Sequence, residues 1–378
     1  MMTDTKKRLI ILTIIVKILI ILIIYLAYNF LPFNNYLHDI NFVYPENESI
    51  TLKTAYKTWD GQHFIYLAEN GYAPNSPSNS FYPLFPFLIW IYNNFTLHNS
   101  LISGLILSNI FSFIGILFFF EFIKKRFNEG IAYLSSLFLL VFPTSFYFSL
   151  IYAESLFFML TMIFIYYLYE NKLAPAFLAG VLLPLTKPQG SLIVLPLLVY
   201  LFFQNRQNIF QFKFNKNYFL ILAIAIGFIL HLLIMQWFTG NFLSSFEAEK
   251  LYVANATILN LLHPLEWLTR NFTEINLAIH NYTQSIIDRL FFGIYLFLLY
   301  LIYKKTDKTL FAYSVAMGLI PALSEGFLMS YLRILLLVFP IFLVLAIKYE
   351  KYKNEIVIIS TMLQTLFLIM HSLNYWVG

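Results

Sequence analysis

Apolar runs of about 20 residues recur along this chain between short polar breaks, and a helix needs about that length to cross a bilayer. The first, Leu9 to Leu31, follows Lys6-Lys7-Arg8. It lacks a small-residue cleavage site and is long for a signal peptide, so the pattern predicts a retained first span. Residues 33–80 are polar and rich in Asn, Ser and Pro. Residues 81–96 are apolar but short, broken by Pro83 and Pro86, and predict a helix that lies in the interface or dips back. Together they make a first outer loop of about 32–100. Leu101 to Phe122 is a full-length run that leads into Lys124-Lys125-Arg126. Further spans are expected roughly at 128–146, 152–170, 173–186, 189–204, 218–238, 284–303, 308–328, 331–347 and 356–377. The expected fold is thus an all-α polytopic membrane protein of about eleven transmembrane helices, in one domain over 1–378, with a second outer loop at about 239–283.

Composition sharpens this. Of the 378 residues, 60% are hydrophobic, 20% aromatic and 11% charged, whereas a soluble domain carries about a quarter charged residues. There is no cysteine, which excludes disulfides, thiolate metal sites and thiol nucleophiles. The net charge of +5 is no sign of nucleic acid, because the basic residues sit in short clusters between apolar runs, as membrane orientation requires. With the N-terminus cytoplasmic, most Lys and Arg, including Arg206 and Lys213, fall inside and most acids outside. The inner connections are short and basic. The outer ones are long, acidic and aromatic, with Phe242, Phe246 and Trp267 in the second loop and Trp237 at its edge. Chemistry is therefore expected on the outer face, away from ATP and nucleotide sugars. No internal repeat or low-complexity tract is visible.

The densest chemistry lies in Trp59-Asp60-Gly61-Gln62-His63-Phe64 and the residues to Tyr72. As a helix, this stretch puts Asp60, His63, Phe64 and Leu67 on one face and turns Glu69 away. Asp60 suits either of two roles, a base for an attacking hydroxyl or a helix-start acid. Glu154, at the outer mouth of the fourth span, is a cavity-facing acid or another helix start. Lys187, in Thr186-Lys187-Pro188-Gln189-Gly190, sits outside against the positive-inside preference; it suits a phosphate or lipid headgroups. Arg333 needs a carboxylate or phosphate at its depth, and Glu325 is a candidate partner. His231 reads as a core histidine, and His371 and Trp376 are weaker signals. The histidines show no metal-ligand spacing, and there is no His-Glu-x-x-His, Asp-x-Asp or Gly-rich phosphate loop. Sequon matches at Asn47, Asn94, Asn255, Asn271 and Asn281 are what an Asn-rich sequence produces by chance.

Trp59-Asp60-Gly61-Gln62-His63-Phe64, Glu69-Asn70-Gly71-Tyr72 and Phe81-Tyr82-Pro83-Leu84-Phe85-Pro86 together resemble the PIG-V-like mannosyltransferases, polytopic glycosyltransferases of GT-C fold. Ala153-Glu154-Ser155-Leu156-Phe157, Thr186 to Gly190, Arg333 with Phe339-Pro340, and Asn374-Tyr375-Trp376 follow in the expected order. Two departures stand out: Lys187 replaces an expected arginine, and 239–283 carries no matching motif. The resemblance implies inverting transfer of a hexose, mannose in the family, from a polyprenyl-phosphate donor to a glycan or glycolipid acceptor. It implies Asp60 as catalytic base, Lys187 and Arg333 on the donor phosphate, and His63, Glu69, Glu154 and Gln189 shaping the pocket. No metal or other cofactor is expected. The expected partners are membrane lipids, the donor, the acceptor and an accessory membrane subunit, with no nucleic acid. The location would be multi-pass in a membrane, the plasma membrane in a prokaryote. A transporter or flippase of lipid-linked intermediates is the alternative; it would need polar residues to midplane and an inverted repeat. A membrane acyl- or phosphotransferase would need a nucleophile–base motif or an acidic magnesium cluster, and neither is present.

Overall fold

The computed structural model describes residues 3–204, 216–252, 256–273, 277–280 and 283–377. Arg206, Lys213, Asn255 and Asn281 lie outside the described residues. Among those residues the fold is all-α, and the sole β feature is an isolated bridge between Ala278 and Ser285. Among the described residues, five helices are long and apolar enough to cross a bilayer: Asp4–Phe30, Ser100–Arg126, Lys216–Thr239, Ile286–Lys305 and Glu350–Ser372. The chain is therefore an integral membrane protein. Shorter apolar helices occupy Glu129–Leu140, Glu154–Tyr169, Leu173–Leu185, Gln189–Gln204 and Lys308–Ser324.

Local chemistry sets the boundaries. Asn99, Asn128, Ser285 and Asp307 each offer a side-chain oxygen to a backbone N–H in the first turn that follows, which satisfies a donor that has no partner within the helix. Two expected spans are interrupted. The one over 128–146 ends at Leu140, and Pro143 carries the chain into a turn before the short helix Ser145–Phe148. The Leu140 carbonyl freed there accepts from Ser145 Oγ and from Gln364 Nε2 at 3.1 Å. The one over 331–347 is two helices, Tyr331–Leu336 and Pro340–Lys348, because Pro340 has no N–H to continue the first. The segment 81–96 forms the short helix Leu84–Tyr92, with its prolines at the start, where they are tolerated.

Small residues let the central helices approach. Gly104, Ser108, Ser112 and Gly115 recur every three or four positions on Ser100–Arg126 and are buried, a spacing that brings membrane helices together. A Cβ on Gly115 would lie 2.7 Å from Phe158 of Glu154–Tyr169. Basic residues at one end of the bundle pair with acids there: Lys6 with Glu121, Lys125 with Glu170 and Arg126 with Asp307. Glu154 starts the helix that ends beside Glu170, so the two acids stand about 24 Å apart at opposite ends of the bundle.

The turn bearing Lys187 depends on one close approach. A Cβ on Gly190 would meet the Leu183 carbonyl oxygen at 2.1 Å, so only glycine lets Gln189–Leu192 fold back on Leu183–Leu185. Gly190→Ala is expected to destabilise the protein by about 1–3 kcal/mol, the usual range for overpacking, read as a lowered Tm in detergent.

Candidate active site

Asp60 opens the helix Asp60–Asn70, and the residue before it is conformationally unusual. Trp59 has φ 56°, a left-handed value that costs a bulky residue of order 1–3 kcal/mol. Its ring packs edge-on against Trp376 at 5.0 Å, and Tyr152 Oη donates to the Thr58 carbonyl at 3.2 Å. The Asp60 carboxylate accepts from Arg333 Nη1 at 2.6 Å. The Arg333 Nε donates to Glu154 Oε1, and Lys187 Nζ donates to the same oxygen at 2.7 Å. Four charges thus form a chain, Asp60–Arg333–Glu154–Lys187, drawn from four separated parts of the sequence. Glu154 is fully buried, and the side chains of Lys187 and Arg333 are each 17% exposed. The Arg333 guanidinium also lies over the rings of Tyr152 at 4.6 Å and Tyr147 at 5.1 Å, a cation–π arrangement that holds its plane. Arg333 takes Asp60 and Glu154, not Glu325, as its partners.

Polar groups from the neighbouring span and second loop fix Arg333 in space. Its helix starts after Ser330, which is left-handed at φ 55° and supplies no side-chain cap. Asp288, at the start of Ile286–Lys305, takes that role from outside, accepting the Tyr331 N–H at 3.0 Å. Thr144 Oγ1 donates to the Leu332 carbonyl at 3.0 Å. Asn271 Oδ1 accepts the Leu328 N–H at 2.7 Å, and Arg289 donates to the Asn271 carbonyl at 2.7 Å. These are positioning residues that sequence reading missed, since nothing in the spacing of 271 or 288 points to 333.

The charged chain lines a cavity of about 850 Å³, within the range of small-molecule sites. His63, Phe64 and Gln189 share its wall. His63 is sandwiched between Phe42 at 4.1 Å and Phe81 at 4.5 Å, with Nδ1 2.8 Å from Ser78 Oγ. Burial pushes its imidazole down to about 4, against an upward pull from Asp60, so it is neutral across the physiological range. Glu69 is a correction: half a turn round the helix from Asp60, it is exposed, accepts from Tyr44 Oη at 2.8 Å and does not line the cavity.

The cavity has further acids in its lining. Glu249, Tyr252 and Glu325 line it as well, with Trp376 and Tyr82. Burial pushes the Glu249 carboxyl up to about 7, with Asp60 adding to the rise and Lys187 opposing it. Tyr252 Oη donates to the Pro77 carbonyl at 3.2 Å and Asn79 Nδ2 to Ser244 Oγ at 2.8 Å, so the first and second long loops are tied together beside the cavity. Glu249 lies in the loop without a motif, which is why no sequence signal marked it; the terminal Asn-Tyr-Trp was the one hint of Trp376. Among the described residues no group of three or more His, Asp or Glu is placed to hold a metal ion.

Removing Glu154's charge leaves Lys187 without its countercharge in a buried setting. Glu154→Gln is expected to cost about 3–5 kcal/mol of stability, seen as a fall in Tm. Adding Lys187→Met should recover part of it, because the stranded cation is then gone.

No protein-family model and no curated protein matches this sequence. Among solved structures, the chain is similar to the Archaeoglobus fulgidus oligosaccharyltransferase in complex with Zn and sulfate, with TM-score 0.46, 14% identity, and 96% of this chain and 53% of that chain covered. It is also similar to the archaeal oligosaccharyltransferase AglB from Archaeoglobus fulgidus in complex with an inhibitory peptide and a dolichol-phosphate, with TM-score 0.48, 12% identity, and 97% and 56% covered. A third similar structure is the Archaeoglobus fulgidus oligosaccharyltransferase tethered with an acceptor peptide containing the NVT sequon, with TM-score 0.45, 13% identity, and 96% and 55% covered. The chain spans about half the length of these proteins. A likeness at this level assigns neither activity nor substrate.

Proposed function

We propose that this chain is an inverting glycosyltransferase of GT-C type. It would move a hexose from a polyprenyl-phosphate donor to a hydroxyl of a glycan or lipid-linked acceptor, in a cavity open to the non-cytoplasmic side. The observation that carries this reading is the convergence of Asp60, Arg333, Glu154 and Lys187 on one cavity wall. The cavity is also lined by the apolar Met317, Ile334 and Leu337, which suit a prenyl chain. The motif resemblance to PIG-V-like enzymes makes mannose the first sugar to test, and membrane lipids and an accessory subunit belong to the same reading.

The chemistry needs few groups. Asp60 accepts the proton of the acceptor hydroxyl as that oxygen bonds to the anomeric carbon from the face opposite the phosphate. The bond from that carbon to the phosphate oxygen breaks, and its electron pair leaves with the phosphate. Arg333 and Lys187 are the cations available to hold that departing charge. Arg333 bridges Asp60 and Glu154, so a bound phosphate would compete with the carboxylates for its N–H groups. One base suffices for inversion, and no metal or other cofactor enters.

Asp60→Asn keeps the size of the side chain and removes its basicity. Membranes carrying this variant and supplied with polyprenyl-phosphate mannose should transfer about 10²–10⁴-fold more slowly than wild type, the usual contribution of a positioned base. Transfer near the wild-type rate would overturn the assignment. The pH dependence has a definite sign. The Glu249 carboxyl, raised to about 7, is neutral below that pH and ionised above it, which places a further negative charge beside Asp60. The KM for an anionic donor should therefore rise as pH increases through about 7, and Glu249→Gln should flatten the profile. His63, held near 4, contributes no step there.

A further inference from the structure

The second outer loop contains a helix with three distinct faces. In Pro264–Phe272, Trp267 and Asn271 are buried against the protein. Glu266 and Arg270 pair on a second face. Leu265, Leu268 and Phe272 lie on a third, with Leu265 78% exposed, and helical spacing brings them within one stripe of about 60°. The preceding turn, Ile258–Leu262, adds Ile258 at 69% and Leu262 at 72% exposed. Single exposed apolar residues need no explanation, but a contiguous stripe does.

We infer that residues 258–272 form a strap seated in the bilayer interface on the cavity side, with the Leu265–Leu268–Phe272 stripe among the lipid acyl chains. Continuity with the membrane-spanning body identifies lipid as the occupant. Trp267 packs on Phe292 of Ile286–Lys305 at 5.3 Å, and Arg289 of that helix donates to the Asn271 carbonyl. The strap is thus fastened to the mouth of a membrane helix whose own Ile286, Leu290 and Ile294 are exposed. A charged face, here Glu266 and Arg270, turned away from an apolar one is what an interfacial helix presents at the headgroup boundary.

The seat matters to the site because the strap also holds the cavity wall. Thr257 N–H donates to the Ser324 carbonyl at 2.9 Å, and Asn260 Nδ2 donates to it at 2.7 Å. Asn271 bonds Gly326 and Leu328. The stretch between these clamps carries Glu325 into the cavity and runs on through Met329 and Ser330 to the Arg333 helix. Lipid around the strap therefore steadies the connection that delivers Arg333.

Because the chain has no cysteine, a single introduced thiol labels one place only. Leu265→Cys and Ile258→Cys, each carrying a nitroxide in the full chain, are reconstituted in phosphatidylcholine–phosphatidylglycerol nanodiscs, with Glu266→Cys as the polar-face reference. Collision rates with oxygen and with a water-soluble nickel chelate are read by power-saturation EPR. The ratio of oxygen to nickel collisions should be several-fold higher at 265 and 258 than at 266. Equal ratios at all three sites, or protection of 265 and 258 from both reagents by a protein partner or second copy, would overturn the inference. Should Leu265→Cys fail to fold, the label at 258 decides alone. No substrate is turned over, so the result stands apart from the transferase reading.

Discussion

Arg333 bridges two carboxylates, Asp60 and Glu154, and Lys187 closes the chain from the other side of Glu154. In a largely apolar body, each of these charges alone would be expensive to bury. Together they neutralise one another, and the short charge-assisted hydrogen bonds offset much of the desolvation. This constrains the whole structure, because the first long loop, the starts of two central helices and a helix near the C-terminus must meet at one point. The Asp60 helix, the Gly190 turn and the broken 331–348 segment are the local means by which they do.

The same arrangement leaves the site with room for chemistry. A chain of alternating charges has no net charge of its own, so an incoming anion or hydroxyl meets cations that can exchange partners and a carboxylate that can accept. Glu249 and Glu325, in the lining of the same cavity, add acid that this chain of charges does not balance. His63 contributes differently: clamped between two rings and kept neutral, it fixes the outer-loop helix against Phe42 and Phe81 and leaves the charge at the site to the acids and cations.

Precision at Arg333 is supplied from outside its own helix. Six residues is too short a helix to hold a position by itself, and its start is a left-handed Ser330. Asp288 caps it, Thr144 holds a carbonyl in its first turn, and Asn271 with Arg289 holds the strand of chain that leads into it. The second long loop, which carries no recognisable motif, thus has two tasks: it completes the cavity lining with Glu249 and Tyr252, and it positions the cation that faces Asp60.

Much was legible in the sequence for a simple reason. Apolar runs of membrane length, basic clusters between them and the absence of cysteine are local properties, and lipid leaves few ways to satisfy a backbone except as helix. Helical spacing alone separated Asp60 and His63 from Glu69, which the structure keeps apart. The single-letter pattern also marked Asp60, Glu154, Lys187 and Arg333 as out of place in an apolar chain. What it did not contain was their pairing, because residues 273 positions apart become neighbours only through packing. For the same reason Glu249, Asp288 and Asn271 carried no signal: their roles exist only once the second loop lies across the ends of the spans. Sequence determined which residues could not be bulk membrane helix, while tertiary structure decided which of them share one cavity, since charges in lipid are stable only where the fold brings their partners.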